Sequence, residues 1–288
     1  MTETRPAGGP TVLRMILGRQ LQALREKTGM SYEQAAEAIY SSPWTIRRME
    51  RAEGGLKPLT VKSLLMAYGV TDVREIDTFL SLSRDASKPG WWHRYDDVLP
   101  PWFRVALGLE ESASLIRAYQ PQVVPGLLQT EGYIRAITAA SFPGATGEET
   151  GRRVALRLAR QDLLTRPGAP GYWVVLDETV LRRPFGSQEI MRAQFAHLIE
   201  AAGLPNLTIQ VIPFAAGWHP ALYGMFNVYR FRDAELPDIV YSEGLTSAYY
   251  LNKPEETARY TEALDQMCAQ AASPEQTVTI LRDIMKET

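Results

Sequence analysis

Residues 30–51, MSYEQAAEAIYSSPWTIRRMER, decide the fold. The stretch reads as two short helices joined by a tight turn. Ser31 stands in front of apolar positions at helical spacing, Ala35, Ala36 and Ile39, and predicts an N-cap. The chain breaks at Tyr40-Ser41. Ser42-Pro43 then supplies a second N-cap followed by proline at the first helical position, where its missing N–H costs nothing. Ile46 and Met49 are left to face a core, and Trp44, Thr45, Arg47, Arg48 and Arg51 to point mostly outward. A capped helix with that outer face suits the major groove of DNA: its first turn offers backbone N–H groups to a phosphate, and arginine forks reach guanine edges or backbone. A solvated basic helix on an ordinary helical domain accounts for the same residues taken alone, so the flanks carry the decision.

On the N-terminal side, Val12 to Thr28 places Leu13, Ile16, Leu17, Leu21 and Leu24 on one helical stripe, closed by Gly29. On the other side Glu53-Gly54-Gly55 predicts a turn. Thr60 then caps a helix through Val61, Leu64, Leu65 and Tyr68, and Asp72 opens another, Val73 to Leu82. The expectation is an all-α helix-turn-helix domain of five helices over residues 12–88, behind a disordered arm at 1–11.

LQALREKTGMSYEQAAEAI and SSPWTIRRMERAEGG resemble the helix-turn-helix domain of phage-repressor-type (XRE) regulators. The resemblance implies a structural ion pair between Arg25 of the first helix and Glu50 at the end of the third. On the reading of the second helix of the pair as the groove-facing one, Ser42, Trp44, Thr45, Arg47 and Arg48 are expected to face the DNA, with Ser31, Tyr32 and Lys57 as candidate phosphate contacts. One departure is visible. The family has Gln directly after the residue that opens the second helix, and this chain has Tyr32, whose hydroxyl is a candidate for the same contact. Farther on, GWWHRYDDVLPPWF, YQPQVVPGLLQTEGYIRA, RRVALRLARQDLL, WVVLDETVLRR, LPNLTIQVIPF and DIVYSEG are similar to the C-terminal domain of actinobacterial, antitoxin-like regulators of undefined biochemical role. That likeness implies a repressor- or antitoxin-like transcription regulator, often encoded beside a small protein partner. A single helix-turn-helix module covers few base pairs, so a homodimer on a double-stranded operator is expected, and the single cysteine with no membrane-length apolar run predicts a cytoplasmic location.

Net charge is −2 over 288 residues. Residues 1–88 carry 13 Lys and Arg against 10 Asp and Glu, and the remainder 18 against 23. The asymmetry favours DNA on the N-terminal part and argues against a second non-specific nucleic-acid surface. One cysteine, Cys268, excludes an internal disulfide and fits a reducing compartment. No apolar run approaches the ~20 residues of a membrane span, and the first ten residues hold no apolar signal region.

Ser87-Lys88-Pro89-Gly90 marks a boundary. Beyond it, residues 89–288 read as an α+β regulatory or interaction domain. A helix is expected over Leu109 to Tyr119, another over Thr130 to Ile137, and a long one from Glu148 to Thr165. The long helix carries Arg152, Arg153, Arg157 and Arg160, read as a solvated face with local ion pairs. Tyr172 to Leu176 and Leu207 to Ile212 are strands around an amphipathic helix at Ser187 to Ala202, a β-α-β unit that permits a parallel pair. Met225 to Phe231, Asp238 to Tyr241 and Tyr249 to Leu251 continue the sheet antiparallel, and two helices opening at Pro254 and Pro274 end the chain. The expected sheet is mixed, with four or five strands.

Asp177, Glu178 and Glu243 fall at strand ends, where a carboxylate cluster is able to hold a divalent ion. No lysine accompanies them at nuclease-like spacing, and Glu178 faces ready partners in Arg182 and Arg183. His93, His197 and His219 are scattered without a zinc-ligand pattern. There is no glycine-rich phosphate loop and no serine elbow. The expectation is therefore no enzyme, no metal and no cofactor. The alternative for the C-terminal domain is a small-molecule sensor or relic enzyme, with the aromatic loops Gly217-Trp218-His219-Pro220 and Leu222-Tyr223-Gly224 lining a pocket.

Overall fold

The computed structural model describes residues 10–234 and 236–288. It divides into two compact units, Met1–His93 with Val105–Ser112, and Arg94–Arg104 with Ala113–Thr288.

The first unit is helical: α1 (Pro10–Thr28), α2 (Tyr32–Ala38), α3 (Pro43–Glu50), α4 (Pro58–Ala67) and α5 (Val73–Ala86), joined by the greater part of α6 (Phe103–Ser112). The five helices up to Ala86 are those the sequence predicts. Helix α1 begins two residues earlier than expected, so Pro10 and Thr11 are helical rather than part of an arm, and residues 1–9 of that arm lie outside the described residues. Helix α4 opens at Pro58 with Lys57 at the cap, not at Thr60, because proline at the first position is the stronger start signal. Leu17, Leu21, Ala35, Ile46, Val61 and Leu65 are fully buried and form the core of this unit. Gly29 takes φ +70° after α1 and Gly69 φ +79° after α4, the left-handed conformation that ends helices. Two close approaches need glycine for a different reason. A Cβ on Gly18 of α1 would lie 2.6 Å from the Glu50 carbonyl oxygen, and one on Gly108 of α6 would lie 2.1 Å from Thr11 Oγ1.

The second unit is α+β. Its elements are β1 (Leu115–Gln120), α7 (Glu131–Ser141), α8 (Gly147–Gln161), β2 (Gly171–Asp177), α9 (Glu178–Arg182), α10 (Gln188–Ala201), β3 (Leu207–Ile212), β4 (Phe226–Arg230), β5 (Ile239–Glu243), β6 (Ala248–Leu251), α11 (Pro254–Gln270) and α12 (Pro274–Glu287). The strands form one mixed sheet in the order β3-β2-β1-β4-β5-β6. Strands β1, β2 and β3 run parallel, with Ala118 opposite Val174 and Val174 opposite Ile209. Strands β4, β5 and β6 add on antiparallel from the other edge of β1. One face buries Tyr119, Val175, Ile212, Phe226, Val228 and Val240 against Leu264 and Met267 of α11.

The α+β class, the parallel pair and the antiparallel continuation agree with the sequence. The expected helix over Leu109 to Tyr119 does not: α6 stops at Ser112, and Leu115–Gln120 is β1, the sixth strand and the one that joins the parallel to the antiparallel part. No glycine or proline separates the two elements, so nothing local punctuates the change. Pairing with neighbours on both sides overrides the helical appearance of the segment.

Candidate nucleic-acid interface

The helix pair at residues 32–50 is built from caps outward. Ser31 Oγ accepts the Gln34 N–H at 3.3 Å while Gln34 Oε1 accepts the Ser31 N–H at 2.8 Å, a reciprocal capping box that fixes the start of α2. The turn after it passes through Tyr40, whose φ of +52° is left-handed without glycine, and the Ser41 N–H returns to the Ala36 carbonyl at 2.9 Å. Ser42 Oγ then accepts the Thr45 N–H at 3.1 Å and caps α3, with Pro43 at its first position. The two serine caps and the non-glycine turn set the angle between the helices. Ile46 and Met49 are buried beneath them.

One buried ion pair sets the register of the outer face. Arg25 Nε donates to Glu50 Oε1 at 2.7 Å and Nη2 to Oε2 at 2.9 Å, and Nη1 donates to the Met30 carbonyl at 3.0 Å. The bonds to Glu50 hold the Arg25 guanidinium charged well above its ordinary range, against the opposing effect of burial. A pair of this kind says little about net stability and much about packing register. Here it joins the end of α1 to the end of α3 and so orients the face that Trp44 and Arg48 share.

On that face Ser42, Thr45, Arg47 and Arg48 are brought together with Trp44, which is 64% exposed. Thr45 Oγ1 lies 2.9 Å from Ser42 Oγ, so the two hydroxyls form one polar unit at the helix N-terminus. Arg48 is held at two points: its guanidinium lies 4.5 Å from the Trp44 ring centroid, and its Nη2 donates to the Glu53 carbonyl at 2.6 Å. Tyr32 sits under two cations, Arg25 at 4.1 Å and Arg47 at 4.9 Å from its ring centroid. Ser31 and Lys57 are exposed at the starts of α2 and α4. The i, i+4 spacing of Trp44 and Arg48 is readable in the sequence and gives their stack. The Tyr32 contacts come from three separate helical segments and have no such signal.

The second unit holds the other residues singled out. Asp177 Oδ1 caps α9 through the Thr179 N–H at 2.9 Å. Glu178 accepts from Arg182 Nε at 3.0 Å and from the Phe214 N–H at 2.9 Å. Glu243 accepts from Trp102 Nε1 at 3.2 Å. The three carboxylates thus hold separate structural partners, and among the described residues no group of three or more His, Cys, Asp and Glu is placed to hold a metal ion. Of the arginines of α8, Arg152 forms a solvent-exposed ion pair, as the sequence reading expects, whereas Arg153 and Arg157 make part-buried bonds. Arg152 pairs with Asp97, holding that carboxyl below the usual range, while Arg153 lies 3.9 Å from the Phe142 ring centroid and donates to the Val98 carbonyl. Arg157 donates to Gln129 Oε1 at 3.0 Å, and burial together with neighbouring Arg160 lowers it to about 10.

The sequence does not anticipate one grouping. His219 Nε2 lies 3.3 Å from Tyr119 Oη and 3.6 Å from Asp177 Oδ2, and its Nδ1 accepts the Ala221 N–H at 3.3 Å. That last bond leaves the Nε2 position for the proton of the neutral ring. Burial, and then Asp177, push the Tyr119 hydroxyl above its ordinary range. The three groups stand at the carboxyl ends of the parallel strands, where open α/β sheets commonly bind ligands. Reading Tyr119 as helical hid this position.

Among the described residues no helix is long and apolar enough to cross a membrane. Comparison with known families matches residues 16–79 to a helix-turn-helix domain, a type that binds DNA, and residues 103–283 to the family described as a domain of unknown function, DUF5753. No curated protein and no solved structure gives a match.

Proposed function

Since the chain belongs to the DUF5753 family and carries a helix-turn-helix domain ahead of it, we propose that it is a sequence-specific transcriptional regulator that reads the major groove with α3. The observation that carries this reading is the shared face of Trp44, Thr45, Arg47 and Arg48, presented from an N-terminus capped by Ser42 and held in register by Arg25 and Glu50. Arg47 and Arg48 supply charge and forked donors, Ser42 and Thr45 supply short polar contacts, and Ser31 and Lys57 lie where backbone phosphates pass. One module of this size covers few base pairs. The regulator therefore works as a homodimer on two half-sites about one helical turn apart.

The C-terminal domain serves regulation rather than catalysis in this proposal, by joining two copies of the chain or by binding a small protein partner. The separate structural commitments of Asp177, Glu178 and Glu243 support that division of labour. The test is fluorescence anisotropy of the full chain on the DNA upstream of its own coding sequence, at fixed salt. Arg48→Ala is expected to weaken binding by ~1–3 kcal/mol with an unchanged circular dichroism spectrum. Equal affinity of the variant and the parent would overturn the placement of α3.

A second reading, a small-molecule sensor, is favoured by the His219–Tyr119–Asp177 group at the strand ends. A thermal shift of the full chain against a panel of nucleotides and metabolites separates the two, since a ligand of the folded state raises stability by mass action.

A further inference from the structure

Trp44 and Arg48 make a compound reader, and its two halves ask for different things. Trp44 is a large apolar side chain, 64% exposed, on the first turn of α3. Arg48 lies over it, 4.5 Å from the ring centroid, and is also held by the bond from Nη2 to the Glu53 carbonyl. The Arg48 carbonyl in turn accepts the Glu53 and Gly54 N–H groups at 2.9 and 3.1 Å, so the turn that holds the guanidinium is itself fixed to α3. A guanidinium held this way is pre-ordered, and it still has four of its five N–H donors to offer.

The major groove presents one apolar group, the C5-methyl of thymine, and the guanine edge with its O6 and N7 acceptors is the partner a fork of donors fits best. Adjacent bases on one strand are ~3.4 Å apart, and the Arg48 guanidinium carbon lies 4.5 Å from the Trp44 ring centroid, so the two side chains together span about one base step. We infer that the Trp44–Arg48 stack reads a 5-methylpyrimidine next to a guanine, the indole against the methyl group and the guanidinium on the guanine edge. Thymine and 5-methylcytosine carry that same methyl and are the two sources of it. The inference rests on the reading of α3 as the groove-facing helix and deepens it to a dinucleotide step.

The experiment selects binding sites for the full chain from a random duplex pool, then alters the enriched sequence in one half-site. Half-sites with a thymine beside a guanine are expected. Replacing that thymine by uracil, which removes the methyl alone, lowers affinity ~4-fold, and restoring a methyl as 5-methylcytosine in place of cytosine raises it by the same factor. Replacing the guanine by 7-deazaguanine, which removes N7, costs ~5-fold or more. Trp44→Ala, a change at an exposed position, binds thymine and uracil sites equally while keeping its preference for guanine. Equal affinity of the parent for thymine and uracil sites, or enriched half-sites without the step, overturns the inference and leaves the regulator reading in place. A pool from which no sequence is enriched overturns both.

Discussion

Arg25 and Glu50, 25 residues apart, face each other as a two-pronged pair buried between the ends of α1 and α3. The geometry matters because removing one partner strands the other charge away from water, a loss of ~3–5 kcal/mol. Glu50→Ala is therefore expected to lower the calorimetric unfolding transition of the helical unit by that amount. The double change Arg25→Met with Glu50→Met should recover much of it, since two apolar groups of similar length leave no uncompensated charge. A single variant that melts with the parent would show the pair to be dispensable.

Gly18 carries a second prediction about the same junction. Its Cβ would meet the backbone oxygens of Glu50 at 2.6 Å and Met49 at 2.8 Å, and backbone cannot turn away as a side chain does. Gly18→Ala should cost ~1–3 kcal/mol and move α3 away from α1. Gly55 is the matched control: it has nothing within 4 Å, and Gly55→Ala should stay within ~0.5 kcal/mol. Comparable melting of the two variants would refute close packing as the reason for glycine at 18.

Legibility in the sequence follows the range of the interaction. Ser31, Ser42 and Pro43 act on backbone groups within three residues, and their helices are where the sequence puts them. The β2-α10-β3 unit is legible because its period changes twice and turns separate the pieces. Strand β1 is not, because its identity depends on partners more than fifty residues away, at Gly171–Leu176 and Phe226–Arg230. The site follows the same rule. Trp44 and Arg48 are one helical turn apart, whereas Tyr119, Asp177 and His219 meet only once the sheet has formed.

Cys268 supplies a prediction in pH. Burial pushes its thiol up, while the Arg117 guanidinium, with Nη2 3.8 Å from Sγ, pulls in the other direction and loses. The thiol stays protonated in the folded chain at a pH where an exposed cysteine, near ~8.5, is already ionising. Alkylation by iodoacetamide at pH 8 should be slow in the native protein and fast in denaturant, and Arg117→Ala should slow it further. The linkage has a definite sign. A thiol whose folded value is raised keeps its full contribution to stability below the unfolded value and loses it as pH rises past that value. Native labelling as fast as that of a free thiol at pH 8 would contradict the burial.

Tyr32 separates two accounts of its own role. If its hydroxyl touches a phosphate, Tyr32→Phe should weaken DNA binding and reduce the salt dependence by about one phosphate contact. The contacts favour a different role, since Arg25 and Arg47 both lie over the ring, at 4.1 and 4.9 Å from its centroid. A ring that shelves Arg47 works equally well without its hydroxyl. Tyr32→Phe is therefore expected to bind within ~2-fold of the parent with an unchanged salt slope. Tyr32→Ala frees Arg47, and at ~0.5–1 kcal/mol per exposed cation–π contact it should weaken binding ~2- to 5-fold. Combining Tyr32→Ala with Arg47→Ala should cost little more than Arg47→Ala alone, because the shelf acts only through the arginine it supports. Full additivity of the two changes would make Tyr32 an independent contact and return it to the phosphate account.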